Sequence, residues 1–372
     1  MFRNYRIKNF NFRLVVLIVA LTILGIIVIG SANEGYQNKQ IIGMVLGLVV
    51  MVCVSLVDYS FVLSFGWFFY ALTCGLLLLI LIPGVGDNSL GATRWINLPG
   101  VRFQPSEVAK IFVVLFFAKY LMQYQEELNK PKRLLMTAVL AGIPLLLIVV
   151  EPDLSTTIVT FLVIFAMVFY TGLSYKVVGT VLGLIFTGAF LMIFMTLHSS
   201  GGLLAGYQNT RIAAWLQPEK YPQSAMQQQN SIMAIGSGQL LGKGLNNSGV
   251  DSVKNGNYIP EPHTDFIFAV AGEELGFIGG CLLILILFAI SFECIRTAKR
   301  AKDLSGQLIC VGMAALVACQ GFVNICVVTG LMPNTGLTLP FVSYGLTSLV
   351  ALYFGMGFVL NVSLQAKKFY DV

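Results

Sequence analysis

Long apolar runs dominate this chain and leave one class of fold open to it. Hydrophobic residues make up 57% and charged residues 11% of the 372 residues, against about 25% charged in soluble domains. Because irregular backbone cannot face lipid, the sequence predicts an all-α polytopic membrane protein forming a single domain, 1–372. About ten transmembrane helices are expected from runs of about 20 apolar residues, which lie at 14–32, 40–58, 61–82, 105–123, 134–150, 154–172, 176–197, 266–290, 308–330 and 342–364.

Lysine and arginine are distributed unevenly between the segments that join these runs. If the N-terminus is cytoplasmic, the cytoplasmic segments hold fifteen of these residues and the outer segments seven. An excess of positive charge is typical of cytoplasmic loops. We therefore expect both termini in the cytoplasm and one long extracytoplasmic loop, about 198–265, between helices 7 and 8. The net charge of +6 follows from this distribution and does not indicate nucleic-acid binding.

Asp265 ends the long polar segment and stands where an apolar run begins. Pro262 and Thr264 are typical of a helix start, so we expect Asp265 in the first turn of a helix at the outer membrane boundary. Glu273 and Glu274 should follow on this helix, about 12 Å deeper. Carboxylates at membrane depth are candidates for functional sites. The alternative for Asp265 is an anion that stabilises a helix N-terminus.

Two further helix starts on the predicted outer side carry carboxylates. Glu107 occupies a position suited to a capping box, but Lys110 lies one turn later, where a cation inside the membrane needs a partner. A Glu107–Lys110 ion pair could shape the outer vestibule or contact a substrate directly. Glu151 and Asp153 flank another helix start, and helix capping accounts for both of them adequately.

Arg94, Trp95 and Arg102 lie in the loop 83–104. Arginine and tryptophan beside a membrane commonly anchor a protein at the interface. The alternative is phosphate recognition, because the planar guanidinium matches phosphate geometry and neighbouring helix N-termini favour anions.

The long polar loop divides into two predicted helices. Arg211 and Trp215 share one face of a short interfacial helix, and 224–235 indicates a second helix. The glycine cluster 236–244 fits neither of the glycine-rich nucleotide-binding motifs, so we interpret it as a set of turns.

His263, near Asp265, and Ser343, in the last loop, are further candidate site residues. His263 suggests a proton relay with Asp265, but no nucleophile pattern accompanies the pair, and an orienting hydrogen bond is the simpler interpretation. Two prolines and two glycines in the loop 331–345 predict a re-entrant or broken segment, with Ser343 among the hydroxyls that follow. No Cys/His spacing typical of a metal site is present, so we expect no dedicated metal site.

Five segments follow one another in the chain: 104–110 (Gln-Pro-Ser-Glu-Val-Ala-Lys), 151–153, 234–238 with 242–244, 260–276 and 339–345. Together they resemble the SEDS family (shape, elongation, division and sporulation). The resemblance covers nearly the whole chain. Lys243 and the lead into the first segment are similar to RodA members, whereas 335–340 is closer to FtsW and SpoVE. Leu346 stands where the family usually has a second glycine. We favour a RodA-like member.

The resemblance implies a peptidoglycan glycosyltransferase of the bacterial cytoplasmic membrane. Such an enzyme polymerises lipid-linked disaccharide-pentapeptide (lipid II) into undecaprenyl-diphosphate-linked glycan on the outer face. It works with a monofunctional class B penicillin-binding protein as transpeptidase. The family's essential aspartate corresponds to Asp265, and its buried Glu/Lys pair corresponds to Glu107 and Lys110.

Under this resemblance Asp265 is the expected general base for the acceptor hydroxyl, in a single inverting displacement. Arg94, Arg102 or Lys110 could stabilise the diphosphate, as could a divalent cation, and Trp95 could hold a sugar or lipid. No other cofactor is expected. Two alternatives stay open: a flippase for the lipid-linked precursor, and a noncatalytic scaffold of the wall-synthesis complex.

Overall fold

The computed structural model describes residues 5, 7–82, 86–87, 94–98, 101–198, 206–246, 252, 256 and 258–365. Within these residues nearly all regular structure is helical, as predicted, with thirteen α-helices and three short strands. The helices are α1 (Phe12–Ala32), α2 (Glu34–Ser55), α3 (Tyr59–Ser64), α4 (Gly66–Ile80), α5 (Pro105–Gln123), α6 (Pro131–Val150), α7 (Leu154–Tyr170), α8 (Tyr175–His198), α9 (Gly206–Leu216), α10 (Pro222–Ser237), α11 (Ile267–Arg300), α12 (Leu304–Val328) and α13 (Leu346–Leu364).

Each of the ten predicted apolar runs overlaps a helix of the structure. Seven helices of the described chain are long and apolar enough to cross a membrane, and α4 and α7 are apolar but shorter. The run predicted at 61–82 is divided, because α3 and α4 meet at Phe65. The multi-pass helical membrane fold is therefore confirmed, while the count of ten crossings stays a prediction.

α12 forms the centre of the helical bundle. It packs against α5, α7, α10, α11 and α13, and most of its residues are buried. α8 lies at the periphery, because none of the described side chains of this helix is buried. Since α8 is apolar and long enough to cross a membrane, its exposed surface is suited to contact with lipid.

The two ends of the described chain meet at one end of the bundle. The Asn361 side-chain amide donates to the Tyr5 hydroxyl at 2.9 Å and to the Ser55 carbonyl at 2.7 Å. The opposite end, where α1 terminates and α5 and α7 begin, is here called the loop end. Which side of the membrane each end faces stays a prediction.

α11 is bent sharply at Gly276. The sequence analysis treated 266–290 as one continuous helix, and this bend was not predicted. Gly276 has φ +67° and ψ −167°, far from helical values. A Cβ placed on Gly280 would lie 3.5 Å from the ring of Phe268. Twelve residues of straight helix would separate these two positions by about 18 Å. The segment 267–275 therefore folds back along the rest of α11.

Asp265 lies before α11, contrary to the prediction that placed it in the first helical turn. The helix begins at Ile267, and Phe266 before it provides no side-chain cap. The Thr264 hydroxyl donates to the Glu261 carbonyl at 2.8 Å. The prediction failed because this hydroxyl stabilises a turn ahead of the helix instead of capping the helix itself.

The glycine cluster 236–244 supplies the hydrogen bonds that the bend in α11 requires. Backbone groups of 239–244 and 273–278 exchange four hydrogen bonds of 2.8 to 3.2 Å. The approach is close, since a Cβ on Gly242 would lie 2.1 Å from the Glu274 carbonyl oxygen. Because buried backbone groups need partners, this pairing permits the helix to break. Residues 238–241 form turns, as predicted for the cluster, while 236–237 belong to α10.

Glu273 and Glu274 lie at the bend and not, as predicted, deeper than Asp265. Lys243 Nζ is 2.8 Å from Glu273 Oε1, and the Ser31 hydroxyl donates to Glu274 at 2.5 Å. Ser31 is the residue before the last of α1. Both carboxylates therefore lie at the loop end of the bundle, where Lys243 of the long polar segment contacts Glu273.

The loop 331–345 enters the bundle, as its prolines and glycines predicted. A Cβ on Gly25 would lie 2.8 Å from the Val342 backbone, although Gly25 is about two turns before the end of α1. Leu339 and Val342 are buried. The loop is therefore enclosed by protein, the condition under which irregular backbone is tolerated at membrane depth. α13 begins at Leu346, four residues later than predicted.

Three strands in the loop 83–104 were not predicted. β1 (Gly86–Asp87), β2 (Trp95–Leu98) and β3 (Val101–Phe103) form an antiparallel sheet in that order. Each strand has two to four residues, too few for a period of two to be distinguished in the sequence. The sheet lies at the loop end, directly before α5.

The bend predicts that Gly276→Ala destabilises the protein. A Cβ there would lie 2.3 Å from the Gly242 amide nitrogen, at a positive φ that alanine rarely adopts. Gly75→Ala in α4 is the matched control, because no atom lies within 4 Å of its Cβ and alanine favours helix by about 1 kcal/mol. We expect a lower midpoint of thermal unfolding for Gly276→Ala alone. Equal midpoints for the two variants would contradict the bend.

Candidate active site

A cavity of ≈ 660 Å³ opens at the loop end of the bundle. Its walls come from the strands, α9, α10, the turn before α11 and the loop 331–345. A cavity of this volume, with charged and polar groups converging on it, is typical of a ligand site. The residues that line it include Arg94, Trp95, Arg211, Asp265, Thr338 and Tyr344.

Asp265 is fixed in this cavity through its backbone and its side chain. Its carbonyl accepts a hydrogen bond from the Asn324 side-chain amide at 2.8 Å. Its carboxylate Oδ1 lies 3.0 Å from the Thr264 hydroxyl, whose one proton is shared between this oxygen and the Glu261 carbonyl. The second carboxylate oxygen, Oδ2, lies towards Gly336 on the cavity wall. The carboxylate therefore has a defined orientation at the centre of the polar lining.

The surroundings of Asp265 favour its protonated form more than water does. Desolvation by the surrounding protein raises the pKa of the Asp265 carboxyl above the ordinary aspartate value. The Thr264 hydroxyl and the Arg211 charge act in the opposite direction, and Glu261 adds a like charge that raises the pKa further. A carboxylate with a raised pKa is a stronger base, and such groups are concentrated at functional sites.

Two guanidinium groups lie beside the Asp265 carboxylate. A Cβ placed on Gly336 would lie 3.8 Å from Arg211 Nη1, 3.8 Å from Asp265 Oδ2 and 4.0 Å from Arg94 Nη1. Gly336 has φ +75°, a conformation that favours glycine. The absence of a side chain at this position keeps open the space on which the three charged groups converge.

Both arginines are oriented by backbone carbonyls. Arg94 donates to the Pro152 carbonyl, and its Nε lies 4.0 Å from Asp153 Oδ2. Arg211 Nη1 donates to the Asn334 carbonyl at 3.1 Å. These contacts hold both guanidinium groups in place on the cavity wall. The pair is suited to hold an anion next to the carboxylate.

Asp153 caps α7, as the sequence predicted. Its Oδ1 accepts hydrogen bonds from the Thr156 amide at 3.1 Å and from the Ser155 hydroxyl at 3.2 Å. Its Oδ2 lies 3.5 Å from the Gln104 side-chain amide and near Arg94. Asp153 therefore acts on the cavity through Arg94 and is not one of the lining residues.

Glu151 is a buried carboxyl group, and within the described part of the chain neither of its oxygens has a hydrogen-bond partner. Burial, together with the charge of Asp153, raises the pKa of Glu151 to about 8, an effect that Arg94 partly offsets. At pH 7 the group is therefore mostly protonated. It adds little negative charge beside Arg94.

Glu107 and Lys110 form the predicted ion pair. Lys110 Nζ is 2.8 Å from Glu107 Oε1, and the side chains are only 2% and 4% exposed. Lys110 Nζ also donates to Gln320 Oε1 at 2.9 Å. Neither charged residue lines the cavity that holds Asp265. This placement favours the interpretation in which the pair shapes the site over direct contact with a substrate.

His263 stacks on an aromatic ring and does not hydrogen-bond to Asp265. Its ring lies 4.2 Å from that of Tyr36, centroid to centroid, and its Nδ1 has no hydrogen-bond partner among the described residues. Burial lowers the pKa of His263, which favours the neutral ring. The predicted orienting hydrogen bond was therefore wrong. His263 supports the site through its carbonyl, which accepts from the Tyr344 amide at 2.9 Å.

Two more of the predicted site residues lie outside the cavity. Ser343 Oγ accepts a hydrogen bond from the Leu339 amide at 2.7 Å, which closes the turn of the re-entrant loop. Arg102 is exposed in β3, and its carbonyl accepts from the Thr347 hydroxyl at 2.9 Å. Ser343 thus has a structural role in this loop, while Arg102 joins the strands to the start of α13.

Several polar residues of the site were missed or misplaced by the sequence reasoning. Arg211 was assigned only to an interfacial helix, and Gln320, Asn324 and Thr338 were given no role. A usable signal was present, because two amides four residues apart interrupt an otherwise apolar run and lie on one helix face. Buried amides are costly unless they are hydrogen-bonded.

Comparison with known proteins places this arrangement in a family. Residues 7–368 match the FtsW/RodA/SpoVE family of cell cycle proteins. The chain is 35% identical to stage V sporulation protein E of Bacillus subtilis over 368 residues, which covers 95% of this chain and 97% of that protein. It is 33% identical to the peptidoglycan glycosyltransferase MrdB of Escherichia coli over 360 residues, covering 95% and 93%.

A solved structure shares the fold as well. The chain superimposes with a TM-score of 0.79 and 28% identity on a chain from a peptidoglycan synthase complex studied for its coordination of polymerization and crosslinking, covering 95% of this chain and 97% of that one. The chain therefore belongs to the FtsW/RodA/SpoVE family, which confirms the predicted SEDS resemblance. Similarity to MrdB is consistent with a RodA-like member, and this finer assignment stays a prediction.

The buried ion pair predicts that Lys110→Ala is far more destabilising than loss of an exposed lysine. Removing one partner of a buried pair leaves an uncompensated charge and costs about 3–5 kcal/mol. Lys130→Ala is the matched control, because Lys130 forms the same i,i+3 pair with Glu127 at 3.0 Å but is 64% exposed, where a pair contributes about 0–1 kcal/mol. Thermal unfolding of the purified variants measures the difference. Similar midpoints for both variants would contradict a buried pair.

Proposed function

We propose that this protein is a peptidoglycan glycosyltransferase that polymerises lipid II into glycan strands, with Asp265 as its general base. Membership of the family and similarity to a relative named as a peptidoglycan glycosyltransferase support the activity. The observation that carries the proposal is the convergence of the Asp265 carboxylate with Arg94 and Arg211 around Gly336. A base and two cations meet there in one polar cavity.

In the proposed reaction the 4-hydroxyl oxygen of the acceptor sugar attacks the anomeric carbon of the donor. The bond from that carbon to the diphosphate oxygen breaks, and the diphosphate keeps the electron pair. The Asp265 carboxylate takes the hydroxyl proton as the new glycosidic bond forms. A single displacement of this kind inverts an α-linked donor to a β-linked product.

The leaving diphosphate is the group that Arg94 and Arg211 would bind. Guanidinium groups match phosphate oxygens in geometry and stay charged at all relevant pH values. Trp95 on the same wall offers an aromatic face for a sugar or lipid chain. Among the described residues no cluster of three His, Cys, Asp or Glu could hold a metal ion.

We further propose that the loop end faces the outside of the bacterial cytoplasmic membrane and that both termini are cytoplasmic. The distribution of lysine and arginine supports this orientation. Basic residues also line a second cavity of ≈ 580 Å³ at the opposite end of the bundle, where Lys8, Arg13 and Arg300 lie. Similarity to a chain of a synthase complex supports a class B penicillin-binding protein as the crosslinking partner.

Asp265→Asn separates this proposal from helix capping and from lipid transport. The change preserves size but removes the base, so we expect glycan polymerisation by the purified protein with its partner to fall by about 10²-fold or more. Substrate is supplied as lipid II in detergent, and polymer is measured by gel. A cap would tolerate asparagine, and a flippase would form no polymer in detergent even as wild type.

Asp303→Asn is the matched control for this experiment. Asp303 caps α12 at the end of the bundle away from the cavity, where its carboxylate accepts from the Gly306 amide at 2.8 Å. We expect the glycan polymerisation activity of Asp303→Asn per folded molecule to equal that of the wild type. Substantial polymer from the purified Asp265→Asn variant would refute the base assignment.

A further inference from the structure

α12 carries two buried amide side chains on one face. Gln320 and Asn324 are 0% and 1% exposed, and their spacing of four residues places them one helical turn apart. Burying an amide costs free energy unless it is hydrogen-bonded. The hydrogen-bond partners of these two side chains therefore indicate the structural role of each amide.

Asn324 joins the backbone of Asp265 to the re-entrant loop. Its Nδ2 donates to the Asp265 carbonyl at 2.8 Å and to the Leu337 carbonyl at 2.6 Å. Its Oδ1 is buried and has no partner within the described residues. Both hydrogen bonds of this side chain are thus donated by its nitrogen, which connects the turn at Asp265 to the loop 331–345.

Gln320 joins the buried ion pair to the same loop. Its Oε1 accepts from Lys110 Nζ at 2.9 Å. Its Nε2 donates to the Thr338 carbonyl at 3.1 Å and to the Thr338 hydroxyl oxygen at 3.2 Å. Thr338 lines the cavity, whereas Glu107 and Lys110 do not. Gln320 is therefore the link through which the ion pair reaches the cavity wall.

We propose that Asn324 is a positioning residue for the base Asp265, and that Gln320 transmits the constraint of the Glu107–Lys110 pair to the cavity wall. This inference rests on the proposed function and extends it to residues that touch no substrate. Asp265 precedes its helix and has no helical hydrogen bonds of its own to hold it. The Asn324 amide supplies a fixed point on the central helix of the bundle.

The size of the effect follows from the geometry of base catalysis. A general base must be within hydrogen-bond reach of the proton that it removes. A misplacement of about 1 Å can reduce the rate by about 10²-fold. Loss of the Asn324 donor should therefore act mainly on the chemical step, and substrate binding by the two arginines should change less.

Asn324→Asp tests the inference, because it keeps the shape but replaces the donor nitrogen by an acceptor oxygen. Asn361→Asp is the matched control. Asn361 is also fully buried and its amide also donates to a backbone carbonyl, that of Ser55, at the other end of the bundle. We expect kcat per folded molecule to fall by about 10-fold or more for Asn324→Asp, with KM changed by less than about threefold. Asn361→Asp should keep the wild-type kcat per folded molecule.

The pH profile adds a readout that a purely structural role would not change. A carboxylate at position 324 is a like charge beside Asp265 and raises the pKa of that base. The acidic limb of the kcat profile should therefore move to higher pH for Asn324→Asp. Asn324→Ala removes the donor without adding a charge. For this variant the acidic limb should lie at the wild-type position, while kcat should stay low.

Distinct outcomes separate failure of this inference from failure of the proposed function. Wild-type kcat in Asn324→Ala and Asn324→Asp, with polymerisation still dependent on Asp265, would overturn the positioning role and leave the function intact. Loss of folded protein in both variants would also overturn it, because the amide would then determine folding. Absence of polymer from the wild type would overturn the function and this inference with it.

Discussion

The site depends on one constraint. Wherever the backbone leaves helical geometry inside the bundle, its carbonyl and amide groups still need hydrogen-bond partners. The turn at Asp265 and the loop 331–345 both lie among buried helices, where unpaired carbonyl and amide groups are costly. Amide side chains of α12 and exchanged backbone hydrogen bonds around Gly276 provide the partners. The Asn324 contact that makes irregular backbone possible at Asp265 therefore also positions the carboxylate.

Charge balance at the loop end follows from this arrangement. Arg94 and Arg211 lie with the Asp265 carboxylate around Gly336, while Glu151 nearby is held largely neutral by burial. The cavity thus combines two guanidinium groups with a base of raised pKa, in a cleft partly shielded from water. A diphosphate that leaves with added negative charge would be stabilised by the cations, and the acceptor proton would have a base within reach.

The helical membrane fold, the ion pair and the re-entrant loop could be predicted, because long apolar runs, a lysine at membrane depth and paired prolines act locally in the sequence. The bend at Gly276 could not be predicted, since its hydrogen bonds come from a segment at least thirty residues earlier in the chain. Arg211 was missed for the same reason, because its importance arises from a partner far away in sequence. Asn324 was missed although an amide in an apolar run was a usable signal, because its partners are not visible in the sequence. Asp265 was recognised, but its position before the helix depends on turn contacts that resemble a cap.

The dependence of the polymerisation rate on pH tests the central claim most directly. A base acts only when deprotonated, so the rate should fall as the pH falls through the raised pKa of Asp265, at a pH above the ordinary aspartate range. Arg211→Gln removes a charge that lowers this pKa and should move the acidic limb to higher pH, with folding monitored at each pH. A rate that stays constant down to about pH 4, near the ordinary aspartate pKa, or an acidic limb unaffected by Arg211→Gln, would contradict the account.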